Sequence, residues 1–306
     1  MSQKLPVLIV AFNRPELTSR VLDAVVEYSP SKVYLACDGP RKKSKEEDDR
    51  VFAVRELMSK TSFACESFTR FEEKNQGLQT GVTNAIDWFF RLEPEGIILE
   101  DDCLPGNGFF EFCEMILDRY RNEPRVWGAG GYNPTGISFP GSSYGFIRFA
   151  MIWGWATWAD RWANYDRDLM KYREEALTGK FAWPSRGLYH GLDRHLRQIS
   201  NGQLETWDYQ WSWSVASNGG LWAMPDRNLV KNMGFGLDST NTTRPLVPDQ
   251  ELQANSPLRH PEHIAAGLSE NLFLRRNLRV YRPYWLNYLR NGVRQLKKIY
   301  QDRFLH

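Results

Sequence analysis

The chain has 306 residues, 42% of them hydrophobic and 25% charged, and a formal net charge of +2. That length allows one large domain or two small ones with ample core. The near-zero balance gives no global drive toward nucleic acid, so a nucleic-acid partner is not expected. Four cysteines, Cys37, Cys65, Cys103 and Cys113, match no zinc spacing and are too few for a disulfide framework. Reduced thiols and a cytoplasmic setting are therefore expected. Met1-Ser2-Gln3-Lys4 leads straight into an apolar strand with no signal-peptide pattern. No apolar run approaches the ~20 residues of a membrane-spanning helix.

In chain order, Pro6 to Phe12 reads as a buried strand, and Asn13-Arg14-Pro15 opens a helix with Pro15 at its first position. Val21, Leu22, Val25 and Val26 give that helix an apolar face. Lys32 to Cys37 reads as a second strand ending in Asp38-Gly39-Pro40. A mixed-charge stretch from Arg41 to Arg50 leads into a helix through Val51, Val54, Leu57 and Met58. Phe68 to Phe71 is a third strand, and Asn75-Gln76-Gly77-Leu78 a turn before a helix through Ile86 and Phe90. Then comes Gly96-Ile97-Ile98-Leu99-Glu100-Asp101-Asp102, a continuous apolar run that ends in three carboxylates. Unbroken Ile and Leu suit a strand covered on both faces. Three adjacent carboxylates repel one another unless something offsets them, and a divalent cation held by oxygen ligands does so simply. An acidic turn accounts for the same letters, so the rest of the chain decides. A helix from Phe109 to Tyr120 and a strand from Val126 to Ala129 complete the alternation.

Alternating strands and helices predict a parallel, covered α/β sheet. In such sheets ligands bind beyond the carboxyl ends of the strands. After Asn133, Gly, Pro, Trp and Asn become frequent, and that half is expected to be irregular structure folded against the sheet edge. Met151 to Trp158 is rich in aromatics, with Trp155 and Trp158 spaced for one helix face. Near the C-terminus, Trp285, Leu289, Val293, Leu296 and Tyr300 recur at helical spacing, with Arg290, Arg294, Lys297 and Lys298 largely off that stripe. Such a helix can touch anionic lipid; a helix packed on the domain with a solvated basic face is the preferred reading.

Taken in order, Ala11-Phe12-Asn13-Arg14, Asp38-Gly39, Glu100-Asp101-Asp102, Gly154-Trp155, Trp207-Asp208 and Gly234-Phe235-Gly236 before Ser239 resemble the GT-A fold glycosyltransferases. Within that fold the pattern resembles the group around eukaryotic N-acetylglucosaminyltransferase I, along with bacterial sugar transferases of similar layout. The resemblance spans about residues 5 to 245. It implies a GT-A type, Rossmann-like, mostly parallel sheet covered by helices, with a nucleotide-binding half at 1–132, an acceptor-side half at 133–245, and a C-terminal extension at 246–306 carrying the basic amphipathic helix.

The resemblance also implies roles. Asp102 ligates Mn²⁺ or Mg²⁺. Asp101 lies near the ribose and Glu100 near the donor sugar. Arg14 contacts the diphosphate, and Ala11, Phe12 and Asn13 share that strand end. Asp38 accepts from a pyrimidine N–H, Gly39 allows close approach, and Asn75, Gln76 and Gly77 close over the base. Asp208 is the candidate base and Glu205 its runner-up; relatives carry two adjacent acids where this chain has Asp208-Tyr209. An Asp that starts a helix is the plainer reading of Asp208. Trp155 and Trp207 are expected on the acceptor side, and Ser239 on a loop closing over phosphate. Many bacterial relatives carry His where this chain has Asn241, which implies looser metal dependence.

The expected partners are a nucleotide-diphosphate sugar, a UDP-sugar in preference, and a glycan or lipid-linked acceptor, with peripheral contact at the inner membrane face as an extension. The alternatives are a non-catalytic carbohydrate- or nucleotide-binding protein of the same fold and a sugar nucleotidyltransferase. The second lacks support, because Asn13-Arg14-Pro15 is not a glycine-rich phosphate loop.

Overall fold

A computed structural model describes residues 4–41, 44–106, 108–136, 138–139, 141–178, 186–234 and 258–267, with side chains left out over 175–191. Ser239, Asn241 and the basic stretch near residues 283–300 lie outside these. The first half runs β1 (Val7–Ala11), α1 (Pro15–Tyr28), β2 (Lys32–Cys37), α2 (Lys45–Lys60), β3 (Glu66–Phe71), α3 (Leu78–Phe90), β4 (Glu95–Glu100), β5 (Cys103–Pro105), α4 (Phe109–Tyr120) and β6 (Val126–Gly130). The second half adds β7 (Tyr144–Ile147), β8 (Trp155–Trp158), α5 (Ala159–Trp162), α6 (Met170–Thr178), α7 (Arg186–Ser200), α8 (Asp208–Ser217), β9 (Leu221–Pro225) and β10 (Val230–Asn232).

Eight strands form one sheet in the order β3-β2-β1-β4-β8-β6-β9-β7, and β5 pairs with β10 in a small second sheet. β1, β2, β3 and β4 are mutually parallel; β8 and β7 run against their neighbours. The expected mostly parallel sheet covered by helices is what the chain forms.

Period-2 alternation sorts side chains onto the two faces. Val7, Ile9, Val33, Leu35, Ile97 and Leu99 pack with α1, α2 and α4, while Leu8, Tyr34 and Ile98 pack with α3 and α8. Each such buried aliphatic side chain is worth about 1.5–3 kcal/mol relative to exposure. Because both faces are covered, the strands read as continuous apolar runs. All four cysteines are free thiols.

The second half departs from the irregular structure expected for it. β8 pairs directly with β4, opposite Ile98 and Ile97, so this half extends the sheet from its middle and does not pack against an edge. Its strands are three to five residues long, and β7, β8 and β9 are buried at every position. Segments so short and so uniformly buried show no alternation, hence no strand signal. Trp155 and Trp158 belong to β8 and face opposite layers. A three-residue spacing gives one face on a helix but opposite faces on a strand.

The chain turns one way from β1 to β2 and β3, then returns through α3 to place β4 on the other side of β1. That reversal is the topological switch point where α/β sheets bind ligands. The register sets Val10 beside Glu100 and Ala11 beside Cys37, so three strand ends finish level. Gly96, near the start of β4, lies under α3: a Cβ there would sit 2.3 Å from Phe89 Cζ and 2.9 Å from the Pro6 carbonyl oxygen. Gly96→Ala should therefore overpack this layer and lower stability by about 1–3 kcal/mol in urea unfolding; an unchanged midpoint would contradict this packing.

Candidate active site

One cleft of about 950 Å³ opens beyond the ends of β1, β2 and β4. Ala11, Phe12, Asn13, Arg14 and Asp38 line one part of it, and Asn75 and Gly77 another. Glu100, Asp101 and Asp102 lie at its floor, and Glu205, Trp207 and Asp208 enter from the second half.

The acid triplet is held by the residues that follow β1. Asp101 is buried, and its Oδ2 accepts the Phe12 N–H at 3.0 Å. Arg14 Nη1 lies 3.2 Å from Asp101 Oδ1 and 2.8 Å from Asp102 Oδ2, so one guanidinium bridges both acids. Burial works against the charge on Arg14, but the two carboxylates outweigh it and hold it charged. Arg14 does not silence the acids. Burial, then the charge of Asp102, pushes the Asp101 carboxyl up to about 6 despite Arg14. Burial, then Asp102, Asp101 and Asp208, holds Glu100 well above the usual carboxylate range. The small second sheet places a backbone on this triplet. Asn232 pairs with Cys103, and Met233 donates its N–H to the Asp102 carbonyl at 2.7 Å. Gly234 then lies against the Asp102 carboxylate, where a Cβ would be 2.0 Å from Oδ2. A side chain there would push the Asp102 carboxylate from its place beside Arg14.

Asp38 organises the opposite rim. Its Oδ1 accepts the N–H of Gly39 at 2.8 Å and of Gln76 at 2.9 Å. Its Oδ2 takes Asn75 Nδ2 at 3.0 Å and Gln76 N–H at 3.1 Å. Burial raises its pKa, and these N–H donors pull it back. Asp38, Asn75 and Gln76 thus form one knot. Gly39 packs on the Lys74 backbone, and Gly77 faces the Glu205 carboxylate. Glu205 consequently spans to the 75–77 loop.

Asp208 is the first residue of α8, after Trp207. Its carboxylate accepts the Thr206 hydroxyl and the Tyr209 N–H, the latter at 2.9 Å. It is therefore both a helix-start acid and a cleft acid. Burial raises its pKa; Thr206 and the Tyr209 N–H oppose that. Trp155 corrects an expectation: it is fully buried among Trp162, Trp207, Trp211 and Trp222 and forms no acceptor wall. Trp207 lines the cleft but is only 2% exposed. Trp153 and Ile152 line the cleft, Trp153 with its ring 4.3 Å from that of Tyr132.

Among the described residues no three His, Cys, Asp or Glu side chains converge on one cation position. The donors present are hard oxygens, Glu100, Asp102, Asp208 and Asn232, in a cleft with surplus negative charge. One or two carboxylates completed by ligand phosphates is the usual donor set for Mg²⁺, and these residues fit that chemistry. Arg41 and Glu47, from the mixed-charge stretch that leads into α2, also line the cleft.

No family model matches the chain, and no curated protein matches it. Among solved structures, it is similar to the apo form of mouse xyloside xylosyltransferase 1, at 9% identity and a TM-score of 0.36, over 69% of this chain and 80% of that one. No helix among the described residues is long and apolar enough to cross a membrane.

The Arg14 bridge generates a pH-dependent prediction. An acid whose folded pKa is raised stabilises the fold below its unfolded pKa, about 3.9, and loses that stability as pH rises toward the folded value. Asp101, at about 6, follows this sign. Arg14→Gln should cost about 1–3 kcal/mol at pH 8, where both carboxylates lose their partner, and clearly less at pH 5. An equal loss at both pH values in urea unfolding would contradict it.

Proposed function

We propose that this chain is a glycosyltransferase that moves a sugar from a nucleotide-diphosphate sugar, with a UDP-sugar favoured, to a glycan or lipid-linked acceptor with inversion. The observation that carries this reading is the placement of Arg14, the acid triplet and Asp208 around one cleft at the switch point of the sheet. The acceptor hydroxyl attacks the anomeric carbon, the bond from that carbon to the diphosphate oxygen breaks, and the hydroxyl proton passes to Asp208. A raised carboxylate pKa suits a base, because the proton is held more firmly. Arg14 offers its guanidinium to the departing diphosphate. Asp102 would hold Mn²⁺ or Mg²⁺, which when bound supplies Lewis-acid stabilisation of that leaving group. Asp101, tied to Phe12 and Arg14, positions this edge, and Glu100 faces the donor sugar. A lipid-linked acceptor would give Arg290, Arg294, Lys297 and Lys298 a role at an anionic membrane surface.

Incubation with a panel of nucleotide-sugars and Mn²⁺, followed by assay of free nucleoside diphosphate, tests this. Release is expected, and Asp208→Asn should lower it by about 10²–10⁴-fold. Nucleotide binding with no release would favour a non-catalytic binding protein of the same fold.

A further inference from the structure

The rim of the cleft next to Asp38 carries an assembly to which the reading above gives no task. Ser44 caps α2, its hydroxyl accepting the Glu47 N–H at 3.3 Å. This fixes Glu47, whose side chain is only 10% exposed. Glu47 in turn holds Arg41 along one edge: Oε1 accepts the Arg41 backbone N–H at 2.9 Å, and Oε2 accepts Nε at 2.9 Å and also Nη2. Several bonds along one edge fix the plane of the guanidinium. The guanidinium carbon lies over the Phe12 ring, 5.1 Å from its centroid. The Arg41 side chain remains 43% exposed and lines the cleft.

A guanidinium so paired has its charge offset locally by Glu47. What it presents to the cleft is a flat, rigid, polarisable surface, which suits an aromatic ring better than a phosphate. Phosphate recognition already has a candidate in Arg14. The two are linked through Phe12, whose ring supports Arg41 and whose N–H is bound to Asp101. A ring at Arg41 and a diphosphate at Arg14 and Asp102 are thereby held in one fixed relation. Asp38 has both oxygens engaged within the chain, which leaves Arg41 the more available base contact.

We infer that the Arg41 guanidinium, backed by Phe12 and locked by Glu47, is the stacking platform for the nucleobase of the nucleotide. The inference rests on the nucleotide-sugar reading and adds to it the residue that holds the base.

The test is calorimetric titration, in the presence of Mg²⁺, of wild type, Arg41→Gln and Arg41→Lys with UDP, GDP, CDP, dTDP and inorganic pyrophosphate. Stacking is worth about tenfold or more in affinity per base. Both variants should therefore weaken a nucleoside diphosphate that wild type binds by about that factor, while pyrophosphate binding stays within about twofold and shows the site intact. Arg41→Lys keeps the charge, so full binding by that variant would overturn the platform. Equal weakening of pyrophosphate and nucleotide by Arg41→Gln would overturn it too, by showing a plain charge effect. Absence of nucleotide binding in the wild type would remove the nucleotide-sugar reading and this inference together.

Discussion

Two parallel strands, β1 and β4, finish side by side, and the residues after them must share one small volume. Asp101, Asp102 and Arg14 meet there, and the guanidinium bridging the two acids ties the loop after β1 to the loop after β4. The bridge is aided by the Phe12 N–H on Asp101, so backbone and side chain hold the same carboxylate. The rest of the site hangs on this link. The small sheet of β5 and β10 starts immediately after the triplet and brings Gly234 onto Asp102. Phe12 carries the link to Arg41 and the α2 N-terminus.

One guanidinium does not balance four neighbouring acids. Burial comes first in the raised pKa values of Glu100 and Asp101, and the neighbouring carboxylates come next; Asp208 is raised by burial alone. Pockets where burial and like charges raise carboxyl pKa values are where binding and proton transfer concentrate. A ligand that brings positive charge, or a cation that accompanies a diphosphate, relieves the repulsion and is bound the more strongly for it. The scaffold contributes rigidity. Asp38, Asn75 and Gln76 fix one rim, and Asp208 is fixed by the first turn of α8 and by Thr206.

How far the sequence displayed this depends on element length and on register. β1, β2 and β4 are five or six residues long, carry uninterrupted apolar runs and end in Asn, Asp or Glu clusters; their ends mark the cleft, and Arg14, Asp38 and the triplet could be read from them. Asp208 entered through the resemblance carried by Trp207-Asp208, and the fold places it in the same cleft. β8 was not readable, because Trp-Ala-Thr-Trp is four buried residues with no period, and its pairing with β4 is a contact between residues some 60 positions apart. Trp155 was misplaced for the same reason: an aromatic that lines a site and one that fills a core look alike in a sequence, and only burial separates them. Arg41 and Glu47 lay in a mixed-charge run where six positions of separation gave no hint that both lie at the cleft. Gly234 depends on the pairing of β5 and β10, which is invisible before the fold is known.

The central claim is that the charge surplus around Asp102 is a binding site for a nucleoside diphosphate together with a cation. The most direct test is thermal unfolding of the full chain with UDP, GDP, CDP and dTDP, each with and without Mn²⁺. The account predicts that at least one nucleotide with Mn²⁺ raises the melting temperature by about 4 °C at a hundredfold excess over its Kd, and by more than either component alone. No rise with any of the four in the presence of Mn²⁺ would contradict it.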